Sequence, residues 1–204
     1  MDEYDRSVFI NCPFSPEYQP LFRAIVFTIY FCEFRPRCAL EVSDSSENRL
    51  SKIQDIVEEC RFGIHDLLIM ELDAATKLPR FNMSFELGLF MAAKRFGRGR
   101  QKSKLALVLD KDPRRYRDAL SDFSGQDISC HEGKPELAIA QVRDWLDASN
   151  RSQDSLAGGD SIVLKFKKFS AQLPKACRKQ RLNPKKLTFP DLCRAVEAWL
   201  LKKT

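Results

Sequence analysis

The sequence lacks a CxxC pair, a glycine-rich phosphate loop, an apolar run of bilayer length and any repeated or low-complexity tract. Each absence removes a class of function. The seven cysteines (Cys12, Cys32, Cys38, Cys60, Cys130, Cys177 and Cys193) fall at irregular intervals, an odd, scattered set that predicts free thiols in a reducing compartment. Two histidines and dispersed cysteines show no ligand spacing, so no metal site is expected. Neither GxGxxG nor GxxxxGKS occurs, and ordinary dinucleotide and P-loop readings lose their main support. The longest apolar stretch, Ala24 to Cys32, is broken by Thr28 and is too short to span a membrane. The opening MDEYDRSVFINCPF carries acids where a secretory leader carries bases, and it has no apolar h-region. A soluble, cytoplasmic protein with no membrane partner is expected.

At 204 residues the chain suits one domain with a small appendage, and a core of that size needs no disulfide staples. Its net charge of +6 is unevenly spread: residues 161–204 carry 12 Lys/Arg against 2 Asp/Glu, and residues 1–160 carry 22 against 26. The basic character therefore belongs to the tail.

Read in order, Ser7 to Cys12 is a short β-rich run closed by Pro13, and Glu17 to Cys32 has a helical apolar period. Arg35 to Glu41 fits a second strand. Ser46 or Asp44 can cap the next helix, in which Leu50, Ile53, Ile56, Val57 and Cys60 recur. Gly63 stands where a helix C-terminal glycine belongs, before a third strand over Ile64 to Ile69. A loop over Met70 to Arg80 leads to a helix centred on Glu86 and ending near Gly97; Glu71 and Asp73 in that loop are expected to be solvated. Lys104 to Asp110 is an unbroken apolar strand of the kind found in the middle of parallel sheets. After a polar excursion over Pro113 to Phe123 come a brief edge strand, Ile128 to Cys130, and a helix over Leu137 to Leu146. This alternation predicts an α/β fold: a doubly wound, mostly parallel, flavodoxin-like sheet over about residues 1–150. A Ser/Gly/Asp-rich linker, 151–160, precedes a basic helical extension, 161–204, with amphipathic helices over Ile162 to Cys177 and Phe189 to Leu201. Two such helices must pack on each other and on the main domain or a second subunit.

Ligands of open parallel sheets sit at the carboxyl ends of the strands. Three segments fall there: Asn11-Cys12-Pro13-Phe14, His65-Asp66, and Asn82 to Glu86. Glu86 is the residue to explain. It lies on a helix that is apolar almost all round and so expected to be buried, where an unpaired carboxylate needs a partner, a cavity or a task.

VFINCPF (8–14), HD (65–66) and SFELG (84–88) together resemble the nucleoside 2-deoxyribosyltransferase and nucleotide N-glycosidase group, and the same architecture is similar to TIR (Toll/interleukin-1 receptor) and TIR-like domains. The resemblance covers roughly the first half of the chain. It implies that Glu86 serves the anomeric carbon or ribose hydroxyls of a nucleoside or NAD-like ligand, and that Asp66 assists the leaving base or holds the sugar. It further implies a nucleotide substrate or ligand with no separate cofactor, a role in bacterial immunity, and assembly as a homo-oligomer. In physical terms, cleaving an N-glycosidic bond builds oxocarbenium character that a carboxylate must face. Phe9, Phe14 and Phe81 offer flat apolar surface for a base, with Cys12 and Pro13 lining the cleft, and Asn11 or Asn82 can bond sugar hydroxyls. Arg80, Phe81 and Asn82 stand where the transferases carry another acid, and Cys12 where they carry glycine, which weighs against base transfer and leaves hydrolysis or binding.

Other readings stay open. Glu86 can be a structural carboxylate at a helix start. Asp66 can cap a turn, and His65, one step along the strand, faces the other way and fits a satisfied core histidine. Cys12 reads better as a small buried residue than as a nucleophile, since no histidine accompanies it locally. The same crevice suits a non-catalytic nucleotide-signal sensor. A third class is a nucleic-acid-associated adaptor acting through the basic tail, where only Phe166 and Phe169 interleave with the cations and both fit the helix's apolar stripe.

Overall fold

The computed structural model describes residues 2–41, 44, 46–68, 81–112, 114, 120, 122, 125–149 and 156–202. Among these residues five strands form one all-parallel sheet in the order β2-β1-β3-β4-β5: β1 (Ser7–Asn11), β2 (Arg35–Arg37), β3 (Phe62–Asp66), β4 (Leu105–Asp110) and β5 (Ile128–Cys130). Phe9 pairs with Arg37 on one side and Gly63 on the other, and Ile64 pairs with Leu107. The expected doubly wound, flavodoxin-like sheet is what the chain forms.

Among the described residues six α-helices accompany the sheet: α1 (Gln19–Phe31), α2 (Arg49–Glu59), α3 (Asn82–Phe96), α4 (Pro135–Ser149), α5 (Gly159–Lys179) and α6 (Phe189–Leu201). Alternation along the strands decides which helices each face meets. Val8, Ile10, Phe62 and Ile64 join a core with α1 and α4, whereas Phe9 joins Ile53, Ile56, Val57 and Phe90 of α2 and α3. The chain's winding reverses between β1 and β3, which leaves a crevice beyond their carboxyl ends.

The two C-terminal helices complete the main core. Nearly every residue of α1 from Leu21 to Ile29 is buried, because the sheet covers one side and α5 and α6 cover the other. Phe27 lies 5.2 Å from Phe169, 5.5 Å from Phe166 and 5.6 Å from Trp199 between ring centroids. The unbroken apolar run of α1 is thus a helix between two layers. A capping box between Thr188 and Asp191 starts α6.

Several local expectations need correction. Strand β2 stops at Arg37: Cys38 and Ala39 are buried without joining the ladder. Helix α2 is capped by Asn48, whose side chain accepts from the Leu50 amide, while Asp44 closes a turn on Ser46. Gly63 is no helix terminus but an interior residue of β3, which ends at Asp66 and not Ile69. Helix α3 is only partly buried. Glu86, Leu87 and Phe90 face inward, but Phe81, Phe85 and Phe96 are exposed. The loop over 70–80, with Glu71 and Asp73, lies outside the described residues, as does most of the excursion over 113–123. No helix among the described residues is long and apolar enough to cross a membrane.

Candidate functional site

The crevice beyond β1 and β3 is built from three short pieces of chain. Strand β1 delivers Asn11 and then Cys12 and Pro13, all buried, and Phe14, half-buried with its ring edge-on to Phe22 at 5.5 Å. Strand β3 delivers His65 and Asp66 on opposite faces, as alternation requires. Helix α3 opens above them with Phe81 at its N-cap and the exposed Asn82 at its first position. Neither supplies a side-chain cap, and the capping-box position falls on Ser84, so Glu86 has no capping role.

Asn11 ties the three pieces together. Its Nδ2 donates to the main-chain oxygen of Met83, 2.8 Å away, and lies 3.1 Å from Nδ1 of His65. An amide N–H can only donate, so Nδ1 accepts and the neutral ring carries its proton on Nε2. Burial pushes the His65 pKa down to about 3, with the nearby Lys104 ammonium adding to the effect, so the ring stays neutral at ordinary pH. The ring packs edge-on against Phe90 and Phe9, at 5.1 and 5.8 Å. His65 is a core residue that orients Asn11. Asn11 Oδ1 is buried and accepts no hydrogen bond among the described residues.

Glu86 is 6 % exposed and makes neither an ion pair nor a hydrogen bond among the described residues. Burial raises its pKa from 4.5 to about 7, opposed by the field of Arg49. A carboxyl held near neutrality can be ionised or protonated at little cost, as proton transfer requires. Cys12 lies within reach of its field: burial first, then Asp66 and Glu86 among its neighbours, push the thiol well above its ordinary range. A thiol so disfavoured as thiolate is not a nucleophile.

Asp66 is differently placed from the sequence expectation. It is fully buried, and both oxygens are engaged: Oδ1 accepts from the Leu68 amide at 3.0 Å, and Oδ2 accepts from the Tyr18 hydroxyl at 2.5 Å. His131 Nε2 stands 2.9 Å from the same Oδ2, with its N–H out of line for a hydrogen bond, while Nδ1 accepts from the Gly133 amide. This cluster anchors the ends of β3 and β5 to the start of α1. Asp66 is a strut, fully buried with both oxygens engaged within the fold.

No family model matches the chain, nor does any curated protein or solved structure.

Of the remaining expected ligand contacts, Phe9 is excluded by its position, since it has no exposed surface and packs in the α2–α3 core. Phe81, 67 % exposed, stands at the rim with Asn82. Tyr18 and His131 were not anticipated. His131 follows β5 directly, so the strand-end argument used for β1 and β3, extended to the edge strand, would have found it. Among the described residues no group of His, Cys, Asp and Glu could hold a metal.

Proposed function

We propose that the crevice binds a nucleotide and that Glu86 hydrolyses its N-glycosidic bond, with NAD as the best-suited substrate. The observation that carries this reading is the buried Glu86 carboxyl at the switch point of the sheet, without an ion pair or hydrogen bond among the described residues and with its pKa raised to about 7. The engagement of Asp66 favours NAD over neutral nucleosides. A neutral base needs a proton to leave well, whereas the nicotinamide of NAD is already cationic and departs as a neutral amide. As the bond from the anomeric carbon to the ring nitrogen breaks, its electron pair goes to nicotinamide and positive charge grows on the sugar. The Glu86 carboxylate faces that charge. Water then adds to the anomeric carbon, and Glu86 takes the proton it releases. Asn11 Oδ1, an acceptor with no partner among the described residues, is suited to a ribose hydroxyl, and the start of α3, without a side-chain cap, suits a phosphate.

Purified protein incubated with NAD and with a panel of nucleosides and deoxynucleotides should release nicotinamide from NAD, and Glu86→Gln should abolish the release. Release that persists in Glu86→Gln would overturn the assignment. With one carboxyl of the crevice lacking a partner among the described residues, a second reading is also supported, a sensor that binds without turnover. It would show as a nucleotide-dependent rise in melting temperature with intact nucleotide recovered.

A further inference from the structure

The cations of the C-terminal hairpin form a continuous surface that the crevice chemistry does not use. Lys168, Lys175 and Lys179 recur along one side of α5, and Arg181, Lys185 and Lys186 extend the same charge through the turn to α6. All six are exposed, and none forms an ion pair among the described residues. Lys165 begins the row above the Phe31 ring, 4.8 Å from its centroid. From Lys165 to Lys179 the row runs about 21 Å at 1.5 Å per residue. Residues 161–204 hold two acids against their 12 Lys/Arg: Asp191 is held by Arg194 and Thr188, and Glu197 lies beside Tyr30 and Cys193.

We propose that this row binds the phosphodiester backbone of nucleic acid without reading its sequence. A line of unpaired lysines suits a partner that carries charge along its whole length. The aromatic residues that could stack on bases are withdrawn: Phe169 is 1 % exposed, and both Phe166 and Phe169 pack on Phe27. Backbone contact with no base readout is what remains. The groove between α5 and α6, about 350 Å³, with Lys175, Lys179 and Lys202 on its rim, would suit an acidic peptide. The row of cations continues beyond that groove at both ends, which favours the polymer.

The test uses the full chain and fluorescence anisotropy with two short labelled duplexes of unrelated sequence across a salt series, with polyglutamate as a competing polyanion. The two duplexes should bind equally, and the logarithm of the binding constant should fall against the logarithm of salt with a slope of about −4 to −5. The triple variant Lys168→Gln, Lys175→Gln, Lys179→Gln should reduce that slope by about three while keeping the melting temperature. Should the triple variant fail to fold, Lys185→Gln with Lys186→Gln in the turn should reduce it by about two. Lys94→Gln with Arg95→Gln, on α3, should leave it unchanged. Absent binding at low salt, a slope unaltered by the hairpin variants, a slope altered by the α3 variant, or tighter binding of polyglutamate than of duplex would each overturn the proposal.

Discussion

The side-chain amide of Asn11 donates to the main-chain oxygen of Met83 across 2.8 Å, hooking the end of the first strand to the opening turn of the helix that carries Glu86. The same nitrogen meets His65 at 3.1 Å, so one amide sets the spacing of both strands of the crevice and the helix above it. Asn11→Ala removes both contacts and leaves the buried His65 Nδ1 without a donor. It should cost about 1–3 kcal/mol in urea unfolding and should lower nicotinamide release more than the stability loss alone explains.

Glu86 makes the protein's stability depend on pH in a definite direction. Its carboxyl titrates near 4.5 when unfolded and at about 7 in the fold, so between those values the folded chain holds the extra proton. Stability therefore falls as pH rises through that window, and the full cost of the buried charge applies above it. Glu86→Gln should melt higher than the parent at pH 8, by about 1 kcal/mol after allowance for the solvent that reaches the carboxyl, and no higher at pH 4. Parent and variant curves that run parallel from pH 4 to 8 would refute the assignment of this titration to Glu86.

Gly63 is required by its neighbours. A Cβ added there would stand 2.7 Å from His65 Nε2 and 2.9 Å from the Phe90 ring. Gly63→Ala should therefore push the His65 ring off Asn11 and cost about 1–3 kcal/mol, the usual range for overpacking. Its melting temperature should fall well below that of Gly88→Ala, where an added Cβ meets nothing within 4 Å.

These residues also show what the sequence could and could not reveal. Strand β4 was legible because its stretch from Leu107 to Leu109 is covered on both faces and so apolar without a break, and Glu86 was legible because a carboxyl in an apolar helix is an anomaly wherever it occurs. The length of β2 was not, since Cys38 and Ala39 are buried by packing without pairing, and composition reports burial, not pairing. Gly63 looked like a helix terminus because a glycine's need for space in three dimensions leaves the same mark as a need for a left-handed turn. The Asp66 cluster was hidden for a related reason: Tyr18 and His131 reach it from distant parts of the chain, and no local pattern records that convergence. The outward side of α3 was misjudged because Phe81, Phe85 and Phe96 are apolar yet exposed.

The strut reading of Asp66 separates from a catalytic one by experiment. Tyr18→Phe keeps the ring but removes the hydroxyl that donates to Oδ2 at 2.5 Å, leaving a fully buried carboxyl oxygen short of a donor. It should cost about 1–3 kcal/mol of stability, while nicotinamide release per folded molecule stays close to that of the parent. A catalytic Asp66 would instead lose turnover, with its pH profile displaced, when this bond is removed.

The last prediction concerns the helices that cover α1. Phe169 is almost fully buried and stacks on Phe27, and Phe22 meets Phe189 at 5.9 Å, so α5 and α6 occupy the position that a solvent-facing polar stripe would hold on an ordinary α/β helix. Helix α1 has no such stripe, because its buried positions run almost without interruption from Leu21 to Ile29. Phe169→Ala should cost about 3–5 kcal/mol, the range for truncating a buried aromatic. A chain ended at Ser149 would present the whole apolar face to water and should be recovered as aggregate, since a patch of that kind promotes association. A soluble monomer of residues 1–149 with the parent's circular dichroism would show that α1 tolerates exposure and that the C-terminal helices are an accessory to the sheet domain.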